Sequence, residues 1–507
     1  MSGQDLGREM RVGAVWAYLQ TGISTVFQFA TGVVLARLLE PSDFGVFAAV
    51  SAFTVILSQQ VVFGLSSTLL QVKSLEDRQW NSAFWFMEAV AVVATALVFA
   101  TAGWLQAFFD DPRYAQVMRW MCFNFFIMPY MTINGSLLRR RMDYKTVGQV
   151  QIAVNLIAPC VSIGTAVIGW GPYSLVAGGI SAALLSTALV APRAPWRPRL
   201  HFSWAGLLPL LQRAWRFHLN ATLNRIASRV DNVMVGKLVG LNSLGLYTKA
   251  FSLARLPLEQ VTIRVYQIIF TGLSRIQTDR DRTVRGYQKA LCALSTVTFP
   301  LLLIMVLAGE GLVVNLYGEK WAGAVLPMQL MAIGAFAAVL SVTLGALADA
   351  QGLMARETPI EVLNITMTVV AVLVGSHWGL AGVATGIALK AVAMLLLMQR
   401  LLATSSLALG WRTLVEPVWP AALATVAGAV AGGLAALALA TRYSPRDLWF
   451  IMGVVAAAMA GYGASWAMCA RWVRHSEPLQ TTAEMVGSVL RRLPGLRRKT
   501  VSRGDAV

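Results

Sequence analysis

The chain has 507 residues, of which 57% are hydrophobic and only 13% are charged, and its formal net charge is +18. So apolar a composition excludes an ordinary soluble protein and indicates a polytopic membrane protein. The basic excess does not indicate nucleic-acid binding, because the arginines and lysines cluster in short connections between long charge-free runs.

In chain order, the apolar runs predict fourteen transmembrane helices, since each is long enough to cross the hydrocarbon with roughly 20 residues. The first run is too long for the apolar segment of a signal peptide, so it is retained as a span. The predicted spans lie near residues 12–36, 44–72, 81–107, 115–138, 146–168, 174–192, 213–238, 244–273, 287–309, 322–348, 358–376, 379–399, 415–440 and 448–470. The predicted fold class is therefore an all-α polytopic membrane protein.

Basic residues are distributed unevenly between the two predicted sides of the membrane. The inner connections contain RRRMDYK, RAPWRPRLH and RIQTDRDRTVR, whereas the outer ones contain almost only Arg113, Lys320, Arg442 and Arg446. This asymmetry predicts that both termini are cytoplasmic and that the basic groups face anionic lipid. The tail after residue 470 is predicted to be an amphipathic, basic anchor on the inner surface.

One sequence pattern occurs twice, as VLARLLEPSDFGVF at 34–47 and as MVGKLVGLNSLGLY at 234–247. Without a gap, residues 16–62 align with 216–262, and several positions share a residue class: Arg37 aligns with Lys237, Phe47 with Tyr247, and the polar Gln20, Ser24, Gln28 and Thr31 with Asn220, Asn224, Ser228 and Asp231. The copies are six predicted spans apart, so both cross the membrane in the same direction and predict two lobes related by a pseudo-two-fold axis along the membrane normal. Gly45 and Gly245 are expected to allow tight packing at the outer turns.

The repeat predicts five parts in the chain. They are an N-terminal six-helix lobe at 1–192, a cytoplasmic linker at 193–212, a second six-helix lobe at 213–400, two additional transmembrane helices at 401–470 and the cytoplasmic tail at 471–507. Every predicted outer connection is short, so the activity is expected to lie within the membrane.

Polar side chains inside the spans are the candidates for a substrate cavity, because charge within a membrane is costly and tends to be functional. Cationic groups suit an anionic moiety, and amides and hydroxyls suit a hydroxylated one; a lipid-linked sugar has both. The candidates are Arg216, Asn220, Asn224, Arg225, Arg229, Asp231, Lys249, Arg255, Glu259, Arg264, Gln20, Ser24, Gln28 and Gln60.

A structural interpretation of the same charges stays open, in which they pair to hold helices together. Arg255 and Glu259, spaced i to i+4, suit such a pair. Asp231 and Glu259 are alternatively candidates for binding a coupling proton or sodium ion. No metal site or other cofactor is predicted, because the four cysteines and four histidines are scattered along the chain.

Signals for catalysis and nucleotide hydrolysis are weak. GLNSLG at 240–245 has the glycine spacing of a phosphate loop but continues with Leu246 and Tyr247 instead of lysine. FFDDPRY places Asp110 and Asp111 in an outer loop, where an acidic pair could assist glycosyl transfer or simply cap a helix. A protein that is not an enzyme is expected, with a membrane glycosyltransferase or polymerase as the alternative.

Three stretches, ATGVVLARLLEPSDFGVFAAV, RVDNVMVGKLVGLNSLGLYTKAFSL and NLYGEKWAGAVLPMQLMA, resemble bacterial polysaccharide transporters of the multidrug/oligosaccharidyl-lipid/polysaccharide (MOP) superfamily. The resemblance is to Wzx-type lipopolysaccharide and exopolysaccharide flippases, particularly their colanic-acid-exporter-like branch, and covers roughly residues 10–400. It implies an alternating-access flippase for an undecaprenyl-diphosphate-linked oligosaccharide in the bacterial inner membrane, with a polymerase and glycosyltransferases as partners.

The resemblance also implies a cationic central cavity. The positions that would supply it here are Arg216, Arg225, Arg229, Lys249, Arg255 and Arg264. The alternative within the same superfamily is a multidrug or cation antiporter, for which a predominantly acidic cavity is expected.

Overall fold

The computed structural model describes residues 3–72, 74–194, 196–405 and 407–472, without the side chains of residues 3–20, 216, 220, 263, 264, 268, 354, 355, 358 and 470–472. Nearly all of the described chain is helical, and the described residues contain no strand. The predicted all-α class is confirmed.

Nineteen α-helices make up the described chain, joined by short turns. They are α1 (Gly3–Leu38), α2 (Pro41–Val62), α3 (Leu65–Gln71), α4 (Asp77–Phe109), α5 (Arg113–Met121), α6 (Phe123–Arg140), α7 (Tyr144–Val167), α8 (Tyr173–Val190), α9 (Trp204–Ala227), α10 (Val230–Leu238), α11 (Leu241–Pro257), α12 (Ile263–Ser274), α13 (Arg280–Leu307), α14 (Gly309–Tyr317), α15 (Val325–Ala350), α16 (Met354–Gly375), α17 (Gly379–Ala403), α18 (Trp411–Leu439) and α19 (Leu448–Trp472).

Every predicted span coincides with one of these helices or with a pair of them. Ten stretches of the described chain are long and apolar enough to cross a membrane, and one of them, Pro359–Ala403, contains two predicted spans. Spans two, four, seven and eight are interrupted, at Phe63–Gly64, at Cys122, at Ser228–Arg229 and by a π-helical turn at Leu258–Thr262. The protein is thus a multi-pass membrane protein, and the count of fourteen crossings stays a prediction.

Local sequence explains where several helices begin. At the start of α2, the Glu40 side chain accepts from the backbone of the third helical residue, and the Glu40 backbone N–H donates to Asp43 Oδ2 at 3.1 Å, which forms a reciprocal capping box. Pro41, in the first turn of α2, has its fixed φ suited to that position. Ser203 caps α9 through a 3.3 Å hydrogen bond from the Gly206 backbone N–H.

Clustering of backbone contacts divides the described chain into two compact units. The first comprises the described residues of Met1–Lys249, Leu316–Ala324 and Val372–Val383, and the second those of Ala250–Asn315, Val325–Ala371 and Ala384–Val507. One core cluster of the first unit joins α1 to α7 through Leu35, Leu39 and Ala166. The core of the second unit contains the fully buried Tyr287 and Leu347. The division into two six-helix lobes stays a prediction.

The chain before α9 is fixed to the surface of α4. Trp196 is buried against Phe84, with ring centroids 5.4 Å apart. The Arg199 backbone N–H donates to Asn81 Oδ1 at 2.7 Å, and Trp85 Nε1 donates to the Arg199 carbonyl at 2.8 Å. Consequently α9 begins at Trp204, nine residues before the predicted start of span seven.

The last two helices pack closely on α13 within the second unit. A methyl group on Gly428 of α18 would lie 2.8 Å from the Ala458 carbonyl oxygen of α19 and 2.9 Å from a side-chain carbon of Leu303. Small residues allow such approach between membrane helices.

Candidate functional site

The two copies of the repeated pattern pack against each other at their glycines. A methyl group on Gly45 would lie 1.7 Å from the Leu241 carbonyl oxygen, and one on Gly245 would lie 1.8 Å from the Pro41 carbonyl oxygen. Helices α2 and α11 therefore meet backbone to backbone, which residues with a Cβ would prevent. The close packing predicted for these glycines is confirmed, at the end of the helices that the predicted topology places outside.

A segment at residues 316–324, called the outer segment below, covers the turn between α1 and α2. Its Trp321 side chain is completely buried, and Nε1 donates a 2.8 Å hydrogen bond to the Ala36 carbonyl. Arg37 Nε donates to the Leu316 carbonyl at 2.9 Å. Both bonds join chain positions nearly 300 residues apart, so the outer end of α1 is held by distant sequence.

Lys249 places its ammonium group against three aromatic rings. Its Nζ atom lies 4.2 Å from the ring centroid of Phe44, 5.2 Å from that of Tyr317 and 5.9 Å from that of Trp321. Nζ also donates to the Gly32 carbonyl oxygen at 3.2 Å. We call these four partners the Lys249 box; ring faces attract cations through their negative quadrupole potential.

A cavity of about 320 Å³, here called the α1–α7 cavity, lies beside this box. Its lining includes Gln28, Gly32 and Asn155. Asn155 Nδ2 donates to the hydroxyl of buried Ser24. Gln28 thus shares this lining with Gly32, whose carbonyl binds Lys249, and Ser24 is linked to the lining through Asn155.

Helix α2 is interrupted because its backbone turns left-handed at two residues, with φ of 47° at Phe63 and 68° at Gly64. A methyl group on Gly64 would lie 2.8 Å from the Ala214 carbonyl oxygen of α9, so the glycine also permits close helix contact. The Phe63 ring stacks on the imidazole of buried His218, with centroids 4.2 Å apart. The break is therefore supported by packing on α9.

A second cavity, the α2–α9 cavity, opens at this break and has a volume of about 370 Å³. Arg225 contributes a cation to its lining, and Ser58, Gln59, Ser66 and Ser67 contribute hydroxyl and amide groups. A guanidinium can bind phosphate oxygens with two parallel hydrogen bonds, while hydroxyls and amides suit sugars. Interrupted backbone is tolerated in membranes where it lines such a cavity.

Two further candidates lie near Arg225. Gln60 Nε2 donates to Thr222 Oγ1 at 3.4 Å, which links α2 to α9. Asn224 is exposed on α9. The structure therefore places Gln60 and Arg225 where α2 and α9 meet.

Asp231 and Arg229 lie at the start of α10. Tyr247 donates from its hydroxyl to Asp231 Oδ2 at 2.8 Å, and the Asn232 backbone N–H donates to Oδ1 at 2.8 Å, so the buried carboxylate ties α10 to α11. Arg229 Nε is buried and has no hydrogen-bond partner among the described residues. An unsatisfied buried donor is unfavourable, which makes Arg229 suited to accept an anionic ligand.

A third cavity, of about 400 Å³, lies in the second compact unit. Its ionisable lining residues are Arg255, Tyr266, Asp349, Glu357, Glu361 and Lys390. Arg255 Nε lies 3.3 Å from Glu259 Oε1, so the ion pair expected from the i to i+4 spacing is present. Tyr266 donates its hydroxyl hydrogen to Asp349. This cavity combines two cations with three carboxylates.

Three of the candidates line cavities: Arg225 the α2–α9 cavity, Gln28 the α1–α7 cavity and Arg255 the third cavity. The side chains of Gln20, Arg216, Asn220 and Arg264 lie outside the described part of the structure, and their roles stay predictions. Sequence reasoning misses the three carboxylates of the third cavity as site residues. Asp349 and Glu361 lie at or inside the predicted spans and carry the intramembrane-charge signal, whereas Glu357 lies just before a span.

Asp110 and Asp111, the acidic pair of the predicted outer loop, have structural roles. Asp110 ends α4 in a left-handed conformation with φ of 57°. Arg113 forms two ion pairs: its Nη2 lies 2.8 Å from Asp111 Oδ2, and its Nη1 lies 2.8 Å from Asp43 Oδ1. Burial raises the pKa of Asp111, but the hydrogen bonds and charge of Arg113 outweigh it and hold that pKa below its usual value. An ionised Asp111 is unsuited to protonating a leaving group at neutral pH.

Replacing Arg113 by methionine is expected to reduce stability more at pH 6 than at pH 3. The pKa of Asp111 is lower in the folded state than in the unfolded state, where it is about 3.9. The ion pair of Asp111 with Arg113 therefore stabilises the folded state fully above a pH of about 3.9, and this stabilisation is lost as the pH falls through the folded-state pKa. The partly exposed pair is worth about 1 kcal/mol or less after solvent screening.

Thermal unfolding in detergent at both pH values measures this difference. Arg442→Met removes an exposed outer arginine and serves as the control. Equal losses of thermal stability for Arg113→Met at pH 6 and pH 3 would contradict the prediction that ionised Asp111 stabilises the fold through Arg113.

Among the residues that the structure describes, no three His, Cys, Asp or Glu side chains are arranged to hold a metal ion. Cys122, Cys160, Cys292 and Cys469 are all free thiols.

Comparison with known proteins gives consistent matches. The chain is 20% identical over 410 residues to the lipopolysaccharide biosynthesis protein WzxC of Escherichia coli K12, covering 80% of this chain and 83% of the relative. It is 24% identical over 318 residues to the succinoglycan biosynthesis transport protein ExoT of Rhizobium meliloti, covering 63% and 64%.

Among solved structures, the fold is similar to the lipid II flippase MurJ in an inward closed conformation, with a TM-score of 0.70 and 13% identity over 91% of this chain and 100% of that chain. The family model described as polysaccharide biosynthesis protein matches residues 34–326. This match includes both copies of the repeat and most of the three stretches on which the resemblance was based. Because it spans more than half of the sequence, the chain belongs to the polysaccharide biosynthesis protein family.

Proposed function

We propose that this protein is a flippase that moves an undecaprenyl-diphosphate-linked oligosaccharide across the bacterial inner membrane by alternating access. The observation that carries the proposal is the α2–α9 cavity, where Arg225 lies among hydroxyl and amide groups inside a membrane-spanning fold. A diphosphate needs a cation, and a sugar needs hydrogen-bonding groups. The names of the relatives, a lipopolysaccharide biosynthesis protein and a succinoglycan biosynthesis transport protein, support the same substrate class.

Orientation and partners form part of this proposal. Both termini face the cytoplasm in the predicted topology, so the substrate is loaded on the inner side, where the basic connections lie. Glycosyltransferases that build the lipid-linked repeat and a polymerase that consumes it are the expected partners. A proton or sodium gradient, or consumption of the product outside, supplies the driving force.

A cation antiporter is the second candidate, and the third cavity favours it. Three carboxylates, Asp349, Glu357 and Glu361, outnumber the two cations Arg255 and Lys390 in that lining. An acidic cavity suits a cationic substrate, whereas Arg225 in the α2–α9 cavity suits an anionic one. The two candidates thus predict different substrates for the purified protein.

Arg225→Ala is expected to lower the rate of lipid-linked oligosaccharide transfer by about 10- to 100-fold, because a hydrogen bond to a charged group contributes about 1.5–3 kcal/mol. Arg225→Lys retains the charge but loses the forked donor geometry, so an intermediate rate is expected. The measurement uses proteoliposomes that contain a fluorescent undecaprenyl-diphosphate oligosaccharide, with periodate or lectin access to one leaflet.

Arg213→Ala is the matched control, since Arg213 is an exposed arginine of the same helix and does not line the α2–α9 cavity. Its transfer rate should equal that of the wild type. If wild type transfers no lipid-linked sugar under a proton or sodium gradient but exports small organic cations, the antiporter replaces the flippase.

A further inference from the structure

The Lys249 ammonium is held in an unusual way for a charge inside a membrane protein. Its partners are three ring faces and the Gly32 carbonyl, and no carboxylate pairs with it among the described side chains. Ring faces and one carbonyl oxygen are neutral partners, so the positive charge has no counterion within the described part of the structure. An enclosed charge without one is costly, and an anion that reached it would be bound strongly.

The Lys249 box is also part of the outer packing between the two repeat copies. Lys249 lies one helical turn after Gly245, which contacts the backbone of α2. Phe44 of the box precedes Gly45 directly, and Tyr317 and Trp321 belong to the outer segment. The ammonium therefore touches both copies and the segment that covers them, so separation of this packing would remove its ring contacts.

An ion pair also joins the outer segment to the turn between α1 and α2. Lys320 Nζ lies 3.4 Å from Glu40 Oε1, in the turn between α1 and α2. This pair is partly exposed and contributes little to stability by itself. Lys320 consequently provides a comparison cation on the same segment, because it has a carboxylate partner where Lys249 has none.

The α1–α7 cavity borders the box from the other side. Thr31, Gly32 and Phe44 belong to its lining, together with the amides of Gln28 and Asn155. Gly32 and Phe44 thus belong both to the cavity lining and to the Lys249 box. Amides suited to binding a sugar and the cation are therefore neighbours.

We propose that Lys249 is a switched cation: the Lys249 box holds its ammonium while the outer packing is closed, and the diphosphate of the substrate takes it over as the packing opens. The inference rests on the proposed flippase function and adds the link between substrate charge and outer opening. A substrate can shift the equilibrium between closed and open outer packing only if it binds the two states with different affinities. In the open state the Lys249 ammonium would bind phosphate oxygens of the substrate instead of the ring faces, which provides that difference in affinity.

Thiol labelling tests the switch without requiring transport. In a variant whose four cysteines are replaced by serine, Thr31→Cys places one thiol in the α1–α7 cavity beneath the box. A membrane-impermeant maleimide is added to the predicted outer side of proteoliposomes, with undecaprenyl diphosphate or uncharged undecaprenol as the probe. Undecaprenyl diphosphate is expected to raise the labelling rate several-fold, and undecaprenol is expected to leave it unchanged.

Lys249→Met keeps the length and apolar body of the side chain and removes its charge, so the box stays filled and the response to undecaprenyl diphosphate is lost. Lys320→Met is the matched control and retains the response, since Lys249 is intact. An equal response in Lys249→Met and the wild type overturns the proposal. Equal effects of undecaprenol and undecaprenyl diphosphate also overturn it.

Cross-linking separates this proposal from the flippase proposal. Glu40→Cys with Lys320→Cys, joined by a short reducible bismaleimide, should stop lipid transfer until the linker is reduced. Gln116→Cys with Tyr173→Cys, a hydrogen-bonded pair joining α5 to α8, should not stop it. Continued transfer with the first pair linked overturns the role of the outer packing, whereas absent transfer in uncross-linked protein contradicts the flippase function alone.

Discussion

Gly45→Ala and Gly245→Ala are each expected to destabilise the protein by about 3 kcal/mol or more, although alanine favours helices over glycine by about 1 kcal/mol. The added methyl group would lie 1.7 Å or 1.8 Å from a backbone carbonyl oxygen, so the two helices must separate. Backbone atoms cannot rotate away as a side chain can. Thermal unfolding in detergent measures the loss, and labelling of Thr31→Cys from outside should rise without substrate.

Gly179→Ala is the matched control, because Gly179 also lies in a membrane helix but has nothing within 4 Å of the added methyl group. Its stability should be unchanged or slightly greater, as the helix propensity of alanine predicts. Wild-type stability for both Gly45→Ala and Gly245→Ala would show that α2 and α11 do not meet backbone to backbone.

Trp321→Ala is the second substitution with a large expected effect, a loss of about 3–5 kcal/mol of unfolding free energy. The side chain is completely buried, donates to the Ala36 carbonyl at 2.8 Å and packs edge-on against Phe44 with centroids 5.3 Å apart. Its removal leaves a cavity and an unpaired carbonyl. The substitution also removes one of the three aromatic rings around Lys249. The outer segment should therefore become accessible to protease.

Trp321→Phe restores much of the packing but not the hydrogen bond, and about 1–3 kcal/mol of loss should remain. Trp104→Ala is the control for loss of an indole, since Trp104 is 67% exposed in a helix of the same unit. Comparable melting temperatures for Trp104→Ala and Trp321→Ala would contradict the buried position of Trp321.

The amino-acid sequence by itself determined the membrane class, the positions of the helices and the repeated pattern. Long charge-free runs have one stable solution in lipid, because every backbone group must be hydrogen-bonded within the segment. Gly45 and Gly245 were also predictable as contact points, since the absence of a Cβ at equivalent positions in two copies indicates close backbone approach. The Arg255–Glu259 ion pair followed from local helix geometry.

Only the tertiary structure decided what the intramembrane charges do. Helix phase places Arg225 and Arg229 on one stripe, but a backbone break at Ser228–Arg229 separates them, and Arg225 alone lines the α2–α9 cavity. The partners of Lys249 come from α1, α2 and the outer segment, more than 60 residues away in either direction. Periodicity reports only neighbours within one helix, whereas a cation finds its lowest free energy among groups that folding brings together from distant sequence.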